Sequence, residues 1–150
     1  VKNQISIGQV VYLPEVIPSI EKPAAEEMRS RCWKLPVNWK QLVESVKWAA
    51  GGELSVETNA PETVTMEITQ KNDGNYRMLH LLNYRYKQNS VVKNIRINLS
   101  IPTDRKTESV ILYSPDSEKS QVLNFNVLNG RVEFTVPMLK VYDLVAVRLK

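Results

Sequence analysis

The chain has 150 residues, 43% hydrophobic and 24% charged, with a formal net charge of +4 from 20 basic and 16 acidic side chains. That is room for one domain with a proper core, or for one domain and part of another. A single cysteine (Cys32) and a single histidine (His80) exclude an intrachain disulfide and most zinc chemistry, and no apolar run reaches the roughly 20 residues that cross a bilayer.

The basic charge is scattered, with Arg105-Lys106 its densest pair. A nucleic-acid interface gathers such charge on one face, so neither nucleic acid nor a membrane is expected as a partner. Val1-Lys2-Asn3-Gln4 does not lead into a secretory signal, and no compartment follows from the sequence.

In chain order, Val10-Val11-Tyr12-Leu13 is a short apolar run between Gly8 and Pro14 and reads as a buried strand. Residues 15–36 mix prolines and charges around a helical turn at Ala24 to Arg29, as at the edge of a domain. Cys32, beside Trp33, reads as a packed small hydrophobe. The spacing of Trp39, Leu42, Val43, Val46 and Ala50 predicts a helix over 39–50, with Asn38 as its N-cap and Gly51 as its terminator. Trp48 falls off that stripe.

Beyond Gly51-Gly52 the pattern is strand-like to the end. Val64, Met66 and Ile68 alternate with polar residues. The stretch from Arg77 to Tyr84 is apolar on both sides and predicts a central strand. Ile95, Ile97, Leu99 and Ile101 form a second clean alternation, and 109–113 and 144–149 are further strands. Asn129-Gly130 is the favoured two-residue type I′ loop. It pairs Leu128 with Arg131, Val127 with Val132, Phe125 with Phe134 and Leu123 with Val136, while Asn124 meets Thr135 and Asn126 meets Glu133. The fold class expected is mainly β: an antiparallel two-sheet (Ig-like, Greek-key) sandwich over 53–150, preceded over 1–52 by a short strand and one helix from an α/β domain.

These residues resemble a known arrangement. Gly8-Gln9-Val10-Val11-Tyr12-Leu13-Pro14 is similar to a late strand of the glutamine-amidotransferase-like trimerisation domain of family 42 glycoside hydrolases, which often reads G-x-G-x-V-V-Y; Ser6 stands for its first glycine. Met78-Leu79-His80-Leu81-Leu82-Asn83-Tyr84 is similar to an L-x-H-L-x-N-Y strand of the C-terminal sandwich in those proteins. Ser114-Pro115-Asp116, Val132 to Pro137 and Val141 to Val145 follow in the family's order. The resemblance implies a bacterial β-galactosidase-like parent, homo-oligomeric, whose catalytic barrel lies upstream. No catalytic residue is carried over, and no cofactor is implied.

Direct tests for chemistry agree with that expectation. Glycoside hydrolysis needs two carboxylates across one bond, whereas Glu67, Glu108, Asp116, Glu118 and Glu133 fall on outward strand positions or in turns. His80 shares a strand face with Met78, Leu82 and Tyr84, the company of a packed imidazole; Asn83 and Tyr84 read as ties at the strand end. The preferred function is therefore a non-catalytic accessory sandwich that contacts upstream domains of the same polypeptide, with Trp33, Trp39 and Trp48 as interdomain anchors. The alternative is a carbohydrate-binding module that contacts sugar through Tyr76, Tyr84 and Tyr86.

Overall fold

A computed structural model describes residues 1–13, 15–21, 34–85 and 90–150. The helical turn expected at Ala24 to Arg29, and Cys32, Trp33 and Tyr86, lie outside the described residues. Two units separate by internal contacts, Val1–Leu54 and Ser55–Lys150.

In the first unit, β1 (Lys2–Ile5) and β2 (Gly8–Val11) form an antiparallel hairpin, followed by α1 (Trp39–Ala49). The strand expected at Val10 to Leu13 is therefore displaced toward Gly8. It is also not buried: Val10 is 52% and Tyr12 65% exposed, on a two-stranded hairpin whose other strand, β1, is exposed throughout.

The helix ends as its glycines require. Gly51, at φ +74, donates to the Trp48 carbonyl (3.0 Å), and Gly52, at φ +91, donates to that of Lys47 (2.8 Å), which together make a Schellman motif. Its start differs from expectation. The Asn38 side chain makes no cap. Its Oδ1 instead accepts from the Ile17 N–H at 3.0 Å and its Nδ2 donates to the Glu15 carbonyl at 3.0 Å, so it ties the preceding segment to the helix start. The inward stripe is also rotated from the one the spacing suggests. Ser45 is buried and Leu42 and Trp48 are half-buried, whereas Val43 and Val46 stand in the open.

Nine strands make up the described part of the second unit. They are β3 (Val56–Thr58), β4 (Val64–Gln70), β5 (Tyr76–Asn83), β6 (Val92–Ser100), β7 (Thr107–Tyr113), β8 (Gln121–Val122), β9 (Phe125–Leu128), β10 (Arg131–Leu139) and β11 (Tyr142–Leu149). One sheet has the order β3-β6-β10-β9 and the other β4-β5-β11-β7-β8, with every pairing antiparallel. The result is a β-sandwich, with β5 inside its sheet as its two-sided apolar pattern demands.

The core is one cluster shared by the two inner faces. Ile95, Ile97, Leu99, Val132, Phe134 and Val136 meet Leu79, Leu81, Val110, Leu112, Val145 and Val147, all at most 5% exposed. At about 1.5–3 kcal/mol for each fully buried side chain, this cluster dominates the stability of the unit.

The β9–β10 hairpin has the predicted register from Arg131↔Leu128 to Phe134↔Phe125. Asn129 (φ +51) and Gly130 (φ +72) both adopt the left-handed conformation of a type I′ turn. Nothing lies within 4 Å of a Cβ placed on Gly130, so the cost of Gly130→Ala is conformational alone. We expect that substitution to lower stability by about 1 kcal/mol, read as a shift in the urea midpoint at unchanged slope. An unshifted midpoint would contradict the turn assignment.

The pairs Leu123–Val136 and Asn124–Thr135 do not form. Past Phe125 the chain leaves β10 and joins the other sheet: β8 pairs with β7, and the Leu123 N–H donates to the Val110 carbonyl at 2.9 Å. Val136 keeps its partner on the other edge of β10, Ile95 of β6.

Candidate functional site

The outer side of the four-stranded sheet carries a groove of about 800 Å³. Its floor follows from register. Glu57 lies opposite Asn98, Asn98 opposite Glu133, and Glu133 opposite Asn126, which makes one polar row across four strands. The next row places Arg96 opposite Thr135. Asn98 is held at both ends of its carboxamide: Nδ2 donates to Glu133 Oε1 at 3.2 Å, and Oδ1 accepts from Arg131 Nε at 2.5 Å.

At one end of the groove the strand pattern slips. Asn94 has φ +55, and the proline opposite it, Pro137, has no N–H to give the ladder. On the far side of this pair, Lys93 and Met138 are both exposed, and the next inward residues are Val92 and Leu139. Asn59 bridges the defect. Its Oδ1 accepts from the Arg96 N–H at 2.7 Å and its Nδ2 donates to the Asn94 carbonyl at 3.3 Å, which extends the β3 ladder by one side chain. The switch of the chain between sheets brings Gln121, Val122 and Asn124 to the opposite wall.

A second hollow, of about 300 Å³, lies on the outer face of the five-stranded sheet between Tyr113, Tyr142, Pro115 and Glu118. Tyr142 is fixed by His80, whose Nδ1 is hydrogen-bonded to the Tyr142 hydroxyl at 2.8 Å and whose Nε2 is hydrogen-bonded to Thr69 Oγ1 at 3.1 Å. With both ring nitrogens occupied on an exterior sheet face, His80 orients a tyrosine.

Two polar side chains are buried at the neighbouring end of the sandwich interior. Asn83 is 0% exposed and fully bonded: Nδ2 donates to the carbonyls of Ser90 (2.8 Å) and Lys140 (2.9 Å), and Oδ1 accepts from the Arg85 N–H (3.0 Å). Asp143 is 1% exposed, and neither of its carboxylate oxygens has a hydrogen-bond partner. Burial pushes its carboxyl above the ordinary range. The Ser114 hydroxyl, nearby without hydrogen-bond geometry, opposes the rise, and the Asp116 carboxylate adds to it.

The sequence-predicted residues do not converge on one place. Tyr76 and Tyr84 stand at opposite ends of β5, about 27 Å apart at a strand's rise per residue. Tyr84 is 57% exposed and Tyr76 half-buried, with Lys71 Nζ 5.7 Å from the centre of its ring. Trp39 is 38% exposed with Lys40 Nζ over its ring at 5.8 Å, and Trp48 is half-buried under Lys2 Nζ at 5.3 Å. Sequence reasoning passed over Tyr113, Tyr142 and the asparagine groove. Alternation alone marks Tyr113 and Tyr142 as outward-facing, but only the β7–β11 pairing brings them together.

No protein-family model and no curated protein sequence matches this chain. Solved structures that share its fold include two enzymes of Paenibacillus. A Paenibacillus sp. cycloisomaltooligosaccharide glucanotransferase, solved with cycloisomaltoheptaose, is similar over 61% of this chain and 16% of its own, at 21% identity and a TM-score of 0.51. The α-L-fucosidase isoenzyme 2 of Paenibacillus thiaminolyticus is similar over 75% of this chain and 18% of its own, at 17% identity and a TM-score of 0.62. The chain thus spans less than a fifth of either enzyme, and the likeness is one of fold alone, a β-sandwich.

Proposed function

We propose that the chain is a non-catalytic accessory region of a longer carbohydrate-active polypeptide, in which a sandwich follows the last strand and helix of another domain, as in the family 42-like arrangement. The observation that carries this reading is the contrast between the two units. The sandwich has a shared core of its own. Among the described residues of Val1–Leu54, by contrast, no apolar side chain is buried, while Ile5, Ile7, Val10, Tyr12, Val43 and Val46 are each at least 48% exposed. Apolar surface left open in this way marks a contact with further protein. The two fold neighbours support the setting, since in both a sandwich of this kind is a minor part of a much longer chain.

Two experiments test the proposal. The polypeptide that contains these residues, compared with and without them, should lose thermal stability or assembly and keep its turnover per folded active site. The isolated 150-residue chain, incubated with neutral glycans, should release no reducing ends. Release abolished by Glu57→Gln or Glu133→Gln would overturn the reading, since these two carboxylates flank Asn98 on the open groove.

A further inference from the structure

We infer that the groove on the outer face of β3-β6-β10-β9 is a binding site for a neutral oligosaccharide. The inference deepens the accessory reading above and rests on it for its setting; the site itself is argued from the groove. An outer sheet face that only meets water carries a mixture of charged side chains, lysine prominent among them. This one is selective. Five of the chain's twelve asparagines line it (Asn59, Asn94, Asn98, Asn124 and Asn126) and none of its twelve lysines does.

Each carboxamide offers an acceptor oxygen and two N–H donors on a short side chain with few rotamers to lose. That matches vicinal hydroxyls, each of which donates one hydrogen bond and accepts others. Arg96 stands against Glu57 and Glu133, so the lining has no cationic excess with which to hold phosphate or sulfate.

The asparagines divide into two sets. Asn59 and Asn98 are spent on the sheet itself and hold the floor in place. Among the described residues, the side chains of Asn124, Asn126 and Gln121 make no hydrogen bond, and they line the groove from the crossover, β9 and β8 respectively. Val122, 72% exposed, adds apolar surface for the C–H face of a sugar ring. The left-handed Asn94 at the groove's end is the kind of backbone outlier that gathers at ligand sites. A volume of about 800 Å³ lies within the range of small-ligand sites, in an open trough suited to a chain of sugars.

The test is a titration of the isotopically labelled 150-residue chain with isomaltoheptaose, cellohexaose and a galacto-oligosaccharide, followed by amide NMR shifts. The expected result is saturable shifts for at least one of them, centred on residues 57–59, 94–98, 121–126 and 133–137. Asn124→Ala combined with Asn126→Ala should weaken that binding about tenfold, the loss of two or so exchanged hydrogen bonds, at an unchanged melting temperature. Dextran sulfate should not compete. The absence of shifts with all three glycans, shifts confined to the Tyr113–Tyr142 hollow, or binding indifferent to the asparagine changes would each overturn the inference. The deletion experiment above reads the accessory role separately, so stability lost on deletion with no glycan shifts overturns the groove alone.

Discussion

Asn83→Ala is expected to destabilise the sandwich by about 2–4 kcal/mol, far more than its loss of volume accounts for. The side chain is 0% exposed at the end of β5 and satisfies three backbone groups from three places in the chain: the Arg85 N–H and the carbonyls of Ser90 and Lys140. Truncation would leave those part-buried groups without the partner that links three segments of chain, and the penalty for stranding a polar group away from water exceeds the net gain from pairing it. Asn83→Asp sharpens the test. It keeps the acceptor for Arg85 but loses both donors and sets a carboxylate against two carbonyl oxygens, so it should be at least as damaging as alanine. Urea denaturation of the three proteins checks both statements. A loss below about 1 kcal/mol for alanine would mean that the three bonds are not holding the strand end.

Asn83 also shows what could be read before the structure. Its place after an apolar run marked it as a tie at a strand end, and only its partners were hidden, since Ser90 and Lys140 are brought to it by the sheet. The type I′ turn was legible because Asn129-Gly130 is a local signal, and β6 because alternation is local too. The exit of the chain from β10 was not. Leu123 is inward in either sheet, so its burial fits the extended hairpin and the crossover equally well, and the choice is made by a hydrogen bond to Val110 some thirteen residues earlier.

The helix was found by its period, but its buried side was misread. The predicted stripe of Trp39, Leu42, Val43, Val46 and Ala50 shares only Leu42 with the inward side of Leu42, Ser45 and Trp48, whose centre lies about a third of a turn away, and a buried serine sends no hydrophobic signal. The groove was beyond reach for a similar reason. Its polar row crosses four strands from residues 57 to 133, and each member alone reads as an ordinary outward side chain.

Asp143 sits beside Asn83's end of the sandwich and poses the opposite case, a buried polar group left without partners. Its replacement by asparagine is expected to stabilise the fold at neutral pH. The sign follows from linkage. Burial raises the folded-state pKa of Asp143 above its ordinary 3.8, so the folded chain binds that proton more tightly than the unfolded chain does. While the carboxyl is protonated in both states, it costs nothing in charge. As pH rises past 3.8 the unfolded state ionises first, and the cost grows until the folded pKa is passed, above which it is constant. Asp143→Asn removes the charge at similar volume and gives the neighbouring Ser114 hydroxyl a neutral partner. Wild type and variant should therefore be about equal near pH 3, and a gap of about 1–3 kcal/mol should open in favour of the variant by pH 7. Asp116→Asn provides the control, because the Asp116 carboxylate contributes to the rise and its removal should narrow that gap. Thermal denaturation of the three proteins between about pH 3 and pH 8 reads the difference directly. A gap that is the same at every pH would place the effect in packing and remove Asp143 as the source of pH dependence.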